Sequence, residues 1–481
     1  MKLINPLIIL RILRIILFIE SIAFLLCLPV AHIYNEPPFP FLWSSLITIS
    51  ISVILLVISR KVVLNAVGTK EGFLSVALSW ILFSALGTLP YIISGTIPSF
   101  IDAFFETSSG FTTTGSSVFQ NVEILPYSIL FWRSLTHWIG GLGILLLVII
   151  ILPSLKITGY QLLSLESSMK EKIHPRTKSI GYRLLFIYLG LTATEIILLT
   201  LGDMNLFDSI CHSFGTVATG GFSTKNTSIG YYSAYSQYII AVFMLLSGVS
   251  YVAYYYLFKL NFRKVRHNEE LWFYLTTVII AGTIMTSLLL VKVDQPAELS
   301  FREGFFHVIS FVTTTGFATT DYLFWPGPAI LLMFLLLFAG ACTGSSAGGI
   351  KMGRHLIVLK NIKSVFTRVI HINVVSQIKF NDKPVSEATN ISTLSFVALY
   401  LFIFLIGTGL LVVTGNDPLT AASASATCLG NIGPGLGSIG PMSNYAHMTE
   451  ISKLICSFLM IIGRLEIYTI FILFSRSFWK V

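Results

Sequence analysis

Long apolar runs separated by short polar stretches make up this chain. A run of about 20 apolar residues can cross a bilayer as a helix. Two such runs, near 13–33 and 41–59, open the sequence, with the proline-rich turn Asn35 to Pro40 between them. The remainder divides into four units of one form: a full span, a half-span too short to cross, a glycine-containing loop and a return span. In the first unit these are 73–94, 100–110, 111–117 and 127–152. In the second they are 184–202, 206–216, 217–223 and 236–258. In the third they are 271–292, 301–312, 313–319 and 327–360, and in the fourth 392–414, 418–429, 430–437 and 450–475. The half-spans read as re-entrant helices buried in protein, where non-helical backbone at membrane depth is tolerated. Ser108, Ser109, Ser213, Ser423 and Ser425, just before the loops, permit close packing around a narrow axis.

The pattern predicts an all-α polytopic membrane protein. Two N-terminal helices precede four span–loop–span units, whose loops would face one axis. The divisions fall at 1–70 for the N-terminal hairpin, 71–155 and 156–262 for the first two units, 263–383 for the third and 384–481 for the fourth.

Composition fixes the class. The 481 residues are 54% hydrophobic and 11% charged, with mean hydropathy +0.82. A soluble domain carries about 25% charged residues. The net charge of +9 sits mostly between the units. The connections hold Lys156, Lys170, Lys172, Arg176, Lys178 and Arg183, then Lys259, Arg263, Lys264 and Arg266, then Lys351, Arg354, Lys360, Lys363, Arg368, Lys379 and Lys383. Basic loops mark the cytoplasmic side, which puts both termini inside and gives ten spanning helices. Asp102, Glu106, Glu123, Asp208, Glu303 and Asp321 lie near the glycine loops, toward the outside; Lys225, Lys292 and Arg302 are exceptions. The first apolar run carries Arg11 and Arg14 with no small-residue cleavage site, and reads as a retained anchor. No soluble basic domain is present to bind nucleic acid. Five scattered cysteines form no CxxC pair, so neither a metal site nor a disulfide framework is inferred. No HExxH or P-loop signature points to an enzyme.

The four loops carry the candidate chemistry. The first runs Ser109-Gly110-Phe111-Thr112-Thr113-Thr114-Gly115, the second Phe214-Gly215-Thr216-Val217-Ala218-Thr219-Gly220-Gly221. The third runs Ser310-Phe311-Val312-Thr313-Thr314-Thr315-Gly316, and the diverged fourth Cys428-Leu429-Gly430-Asn431-Ile432-Gly433-Pro434-Gly435. Gly115, Gly220, Gly316 and Gly433 are 105, 96 and 117 positions apart. Four such loops suit a ring of backbone carbonyls that replaces the hydration shell of a small cation, with glycine aiming successive carbonyls inward. Small residues also serve helix packing, but packing does not require repetition after four half-spans.

The third return span is interrupted by ten residues from Gly340 to Gly349, which include Gly344, Gly348, Ser345 and Ser346. Glycine costs about 1 kcal/mol in a helix interior relative to alanine. The segment reads as a broken helix and a movable gate beneath the loops, or as a helix that packs closely. Arg464 lies inside the last span, and an intramembrane charge is functional by default. It either projects into the pathway or forms a structural ion pair; Glu466, two residues on, does not share its helix face. Glu195 is a second intramembrane charge, read as a packing partner. His137, His212 and His307 lie near the loops and read as locally hydrogen-bonded.

These repeated units, loops and the glycine-rich break resemble the potassium-uptake membrane subunit of the bacterial Trk system, across nearly the whole chain. The two extra N-terminal helices favour Trk over the related Ktr subunits. The resemblance implies potassium uptake through a single-chain pore, its four span–pore-loop–span units arranged with fourfold pseudosymmetry around one pore, with no covalently bound cofactor, in a multi-pass protein of the cell inner membrane. It implies a homodimer in the lipid bilayer and a cytosolic nucleotide-binding regulatory ring of the RCK type; this chain has no dinucleotide motif of its own. By position, the potassium ligands are carbonyls of Thr113 and Thr114, Ala218 and Thr219, Thr314 and Thr315, and Asn431 and Ile432. Gly115, Gly220, Gly316 and Gly433 close each filter, and Gly340, Gly344, Ser345, Gly348, Gly349 and Arg464 form the gate. Channel-like flux and coupling to another ion both stay open. The rivals are an ion-coupled secondary transporter with a midplane site and a membrane enzyme; four filters weigh against the first and the lack of a polar catalytic cluster against the second.

Overall fold

Proline and polar caps set where the helices begin. In the computed structural model, which describes residues 4–60, 68–146, 177–371 and 377–479, helix α1 (Pro6–Leu26) starts with Pro6 at its first position and Asn5 Oδ1 accepting from Leu7 N–H at 3.1 Å. It runs antiparallel to α2 (Phe39–Ser59). Their contact is made by small hydroxyl residues: Ser21 and Ser45 Oγ lie 3.0 Å apart, and Ser52 Oγ donates to Arg14 O at 3.0 Å. Such interhelical bonds join helices where lipid gives no hydrophobic drive.

The first unit follows as α3 (Thr69–Leu86), the half-span α4 (Phe100–Phe111) and the return α5 (Tyr127–Leu146). The second comprises α6 (Thr177–Thr200), α7 (Leu206–Val217) and a return split into α8 (Ala234–Ser247) and α9 (Tyr251–Phe258). The third comprises α10 (Glu269–Lys292), α11 (Ala297–Val312) and a return split into α12 (Gly327–Leu336) and α13 (Met352–Ile370). The fourth comprises α14 (Glu387–Val413), α15 (Pro418–Gly430) and a return split into α16 (Glu450–Arg464) and α17 (Ile467–Phe471). The half-spans have 12, 12, 16 and 13 residues. At about 1.5 Å per residue they reach roughly 18–24 Å, short of the ~30 Å hydrocarbon core. Three are capped at the start by a side chain: Ser99, Asn205 and Asp417 accept from Asp102, Asp208 and Thr420 N–H.

The sequence pattern shows one broken return span; among the described residues the structure has three. The second bends by 93° between α8 and α9, and the fourth by 109° after Arg464. The second break is occupied by the third unit. Gly248 O accepts from Cys342 N–H and Gly344 O accepts from Tyr251 N–H, each at 3.1 Å. The inserted segment thus satisfies backbone groups that the break frees. In the fourth break Glu466 takes φ 58°, which ends the helix. Among the described residues six helices are long and apolar enough to cross unbroken, and two bent pairs join them. The other two of the ten anticipated spans are the first return, described through Leu146, and the third, which breaks after 10 residues. Lys156, Lys170, Lys172 and Arg176, and with them the division at 155, lie outside the described residues.

The third connection is structured, where the sequence reads as a basic loop. Helix α13 leads to a hairpin of β1 (Lys379–Phe380) and β2 (Lys383–Pro384), turned by Asn381 and Asp382 at φ 49° and 60°. Lys360 bonds Glu269 at 2.5 Å and Lys379 O at 2.8 Å, which ties this connection to the start of α10.

At the head of α13, Arg354 is buried, pairs with Glu466 Oε2 and lies 3.7 Å from the Phe396 ring centroid. Removing one partner of a buried pair leaves the other charge uncompensated, at about 3–5 kcal/mol. Glu466→Gln should therefore lower the thermal unfolding temperature in detergent, and Arg354→Met added to it should recover most of the loss. A double variant no more stable than Glu466→Gln alone would refute the coupling.

Candidate functional site

All four half-spans end in the same backbone turn. Each closes with an N–H bonded to the carbonyl three residues back, and the next N–H bonded to the carbonyl five back. In the first loop these are Thr113 N to Gly110 O at 3.0 Å and Thr114 N to Ser109 O at 2.8 Å. Thr219 and Gly220 repeat the pair at 3.0 and 2.7 Å, Thr314 and Thr315 at 3.0 and 2.8 Å, Asn431 and Ile432 at 3.4 and 3.0 Å. This is the Schellman helix stop, which requires a left-handed residue. Thr113, Thr219, Thr314 and Asn431 fill it at φ 53°, 56°, 56° and 56°. Left-handed backbone costs a non-glycine residue about 1–2 kcal/mol, so surrounding packing holds these four in place. Two residues on, Gly115, Gly221, Gly316 and Gly433 take φ 86°, 81°, 80° and 100°.

This register corrects the second loop by one residue. The sequence pattern aligns Ala218 and Thr219 with Gly220 as the closing glycine. In the structure Ala218 is an ordinary helix cap at φ −75°, Thr219 and Gly220 hold the two slots, and Gly221 closes. Adjacent glycines gave the sequence no mark of which one is left-handed. Thr113, Thr114, Thr314, Thr315, Asn431 and Ile432 occupy the slots the sequence suggests.

The loops meet head to tail in a cycle. A Cβ on Gly115 would strike the Gly220 carbonyl oxygen, one on Gly221 the Thr315 oxygen, one on Gly316 the Ile432 oxygen, and one on Gly433 the Thr114 oxygen. Each closing glycine therefore abuts the next unit, and the fourth returns to the first. All eight slot residues are buried. Among the described residues, none of their eight carbonyls accepts a hydrogen bond, whereas buried carbonyls are otherwise paired. Four of the five slot threonine hydroxyls are occupied elsewhere, among them Thr114 Oγ1, 2.7 Å from Thr112 Oγ1, and Thr315 Oγ1, 2.8 Å from Thr313 Oγ1; Thr113 Oγ1 has no partner among the described residues. Asn431 Nδ2 donates to Thr114 Oγ1 at 3.0 Å and Met460 O at 2.9 Å, a tie between the fourth and first loops. The four closing glycines all line one polar vestibule, together with Arg133 and Lys225.

On the other side of the loops lies the break between α12 and α13. It is a loop, with Ala339 and Ile350 bridged at its base and Gly344 and Gly349 at φ 79° and 63°. Gly348 N–H donates to Thr314 Oγ1 at 2.7 Å, and a Cβ on Gly348 would strike Gly430 O. Ser346 Oγ donates to Val217 O at 3.0 Å, and Ser345 Oγ to Cys342 O at 2.7 Å. A Cβ on Gly340 would overlap the loop's other limb at Gly348 O, 2.5 Å away. The loop thus touches the ends of the second, third and fourth half-spans. Arg464 is buried and donates to Ser346 O at 2.7 Å and to Gly140 O, in the first unit's return helix, at 3.3 Å. Glu466 pairs with Arg354 instead, so the structural ion pair considered for Arg464 is not formed with that residue.

His212 Nδ1 bonds Asp208 O at 2.8 Å and Nε2 bonds Ser223 Oγ at 2.9 Å; His307 Nδ1 bonds Glu303 O at 2.8 Å. Sequence reasoning missed several supports behind the loops. Tyr445 OH donates to Gly433 O at 3.0 Å and Tyr322 OH to Gly435 O at 2.8 Å. Buried Arg133 pairs with buried Glu106 at 2.8 Å. A basic residue six positions into a return span was the one available signal for the last.

Residues 41–480 match the model of the TrkH family, described as a cation transport protein. This chain belongs to the TrkH family. It is 35% identical over 419 residues to the Trk system potassium uptake protein TrkH of Escherichia coli K12, covering 86% of each chain. It is 36% identical over 424 residues to TrkG of the same strain, again covering 86% of each. The crystal structure of the potassium transporter TrkH from Vibrio parahaemolyticus superposes with TM-score 0.91 at 30% identity, over 99% of this chain and 100% of that one. The chain is a multi-pass membrane protein with the TrkH fold.

The corrected register has a direct consequence in this TrkH-family chain. Gly221→Ala should cut cation transport at least about tenfold, as should Gly115→Ala, because each Cβ meets a carbonyl and each φ disfavours alanine by about 1–2 kcal/mol. Ala218→Gly should transport nearly as the parent does. Radiolabelled rubidium uptake by reconstituted vesicles checks this; a tolerant Gly221 beside a sensitive Ala218 would restore the original alignment.

Proposed function

We propose that the chain takes up potassium across the cell inner membrane through a filter of backbone carbonyls. The carrying observation is the cycle of eight buried carbonyls, from Thr113, Thr114, Thr219, Gly220, Thr314, Thr315, Asn431 and Ile432, with no hydrogen-bond partner among the described residues. Four similar units meeting in a cycle support fourfold pseudosymmetry around one pore. Carbonyl rings replace a potassium ion's hydration shell. The relatives' names support potassium as the ion. Backbone coordination is indifferent to Asn431 and Ile432 replacing threonine, and engagement of four of the five threonine hydroxyls favours it over side-chain coordination. Transport of an ion needs no covalent cofactor and no enzyme chemistry. Flux through reconstituted vesicles, compared for potassium, rubidium, sodium and lithium, tests the reading. Potassium and rubidium should pass and sodium and lithium should compete poorly; equal passage of all four refutes a carbonyl filter. Equal flux with and without a proton or sodium gradient would separate a channel from an ion-coupled transporter with a midplane site.

The loop Gly340 to Gly349 is the gate in this reading. It lies under the filter, bonds the ends of the second and third half-spans at Val217 and Thr314, and packs Gly348 against Gly430 at the end of the fourth. Arg464 holds it through the Ser346 carbonyl and puts a positive charge beside the pathway. At 4 Å and an effective dielectric of 20, two unit charges interact by about 4 kcal/mol. Arg464→Ala should raise potassium flux at saturating ion concentration, by about tenfold or more, and leave selectivity intact. Arg464→Lys should keep most of the restraint. An alanine variant that is monodisperse and conducts no faster than the parent would remove Arg464 from the gate.

We also propose a homodimer and a cytosolic nucleotide-binding regulatory ring, docked near α13. Lys363 and Arg368 are both exposed on this helix and are the residues to reverse. Lys363→Glu with Arg368→Glu should weaken co-purification of an acidic ring; undiminished binding would leave these charges a topological role only.

A further inference from the structure

Gly220 is the one residue of its ring without a side chain; its counterparts are Thr114, Thr315 and Ile432. Backbone geometry does not call for glycine there, because Gly220, unlike Gly221, is not left-handed. A neighbour calls for it. A Cβ on Gly220 would meet Nδ1, Cγ and Cε1 of His137 first, and His137 belongs to α5, in the first unit. In the first and third loops the threonine at this position fills the space behind the carbonyl and turns back to its own helix end. In the second loop the imidazole takes that space from outside.

His137 is itself fixed against the second loop. Phe222 N–H donates to its Nδ1 at 3.4 Å, which leaves the proton on Nε2. The imidazole stacks on the Phe222 ring with centroids 4.1 Å apart and planes at 12°. One turn earlier on the same helix face, Arg133 lies 4.2 Å from the Phe222 centroid and donates to Ser223 O at 3.3 Å. Glu106 holds Arg133 from α4, and its other oxygen accepts from Val118 N–H at 2.9 Å. Two side chains of one helix face therefore grip the strand from Gly220 to Ser223.

We propose that His137 and Arg133 are positioning residues for the second loop, with His137 standing in for the side chain that Gly220 lacks, so that discrimination among monovalent cations depends on this borrowed side chain. This rests on reading the four loops as the cation filter. Glycine has the widest backbone freedom of any residue. Without the ring behind it, the Gly220 peptide can rotate and carry its carbonyl off the axis. Arg133 and His137 restrain that rotation from the neighbouring unit.

The test is a swap of volume. Rubidium uptake, with and without competing sodium, is measured in vesicles holding the parent, His137→Gly, Gly220→Thr, the double variant, and Gly115→Ser. Gly220→Thr should lose uptake because its side chain overlaps the imidazole, and His137→Gly should lose preference for rubidium over sodium. The double variant should exceed Gly220→Thr by about tenfold, within the coupling range of side chains in contact. His137→Phe keeps a ring on Phe222 without the acceptor; it should keep uptake and lose part of the preference, which separates positioning from a folding defect. If Gly115→Ser alters selectivity while the double variant is no better than Gly220→Thr, the proposal is overturned and the filter stands. If Gly115→Ser and both His137 variants keep the parent's preference, the filter and the proposal fall together.

Discussion

A cation inside a membrane must exchange its water for protein oxygen, and the oxygen has to be held where side-chain motion cannot move it. Backbone carbonyls meet that need only where a helix stops and its chain turns sharply. Here the Schellman stop does this four times, at Thr113, Thr219, Thr314 and Asn431. A left-handed threonine is unfavourable alone. It persists because each turn is clamped by the next unit, through the contact of each closing glycine with a carbonyl of its neighbour. The half-spans, their caps and their burial all follow from this need to deliver four helix ends to one axis.

The broken return helices follow from the same geometry. A backbone that leaves its helix at membrane depth must find partners in protein. The break before Tyr251 and the loop from Gly340 to Gly349 solve this together, by exchanging bonds between Gly248 and Cys342 and between Tyr251 and Gly344. The loop's other ties include hydrogen bonds to Val217, Thr314 and Arg464, and a pair of hydrogen bonds from Thr343 N–H and Oγ1 to the Glu270 carboxylate. The second loop above it is held differently. The buried Arg133–Glu106 pair and His137 fix the second loop with charge, stacking and volume.

Much of this was legible in the sequence, because the membrane makes the pattern coarse. The apolar runs gave the spans, their length gave the half-spans, and repeated threonine and glycine marked the loops. The glycine run at 340–349 marked the third break. The breaks near Gly248 and Glu466 were not legible, since one glycine or one glutamate in a return span is too weak a signal. The register of the second loop was hidden by two adjacent glycines, of which only Gly221 is left-handed. Contacts between units were out of reach altogether. Nothing local to Arg464 indicates Ser346 and Gly140 as its acceptors, nor Arg354 as the partner of Glu466. The role of His137 depends on a glycine 83 positions away in the chain.

In the proposed filter a cation is held by the carbonyls of Thr114, Gly220, Thr315 and Ile432, with those of Thr113, Thr219, Thr314 and Asn431 as the adjoining ring. Anomalous diffraction from crystals grown in rubidium measures this directly. Rubidium peaks are expected on the common axis, at coordination distance from one carbonyl of each of the four loops. A rubidium ion held by side-chain carboxylates or hydroxyls away from that axis, with none between the four loops, would contradict it.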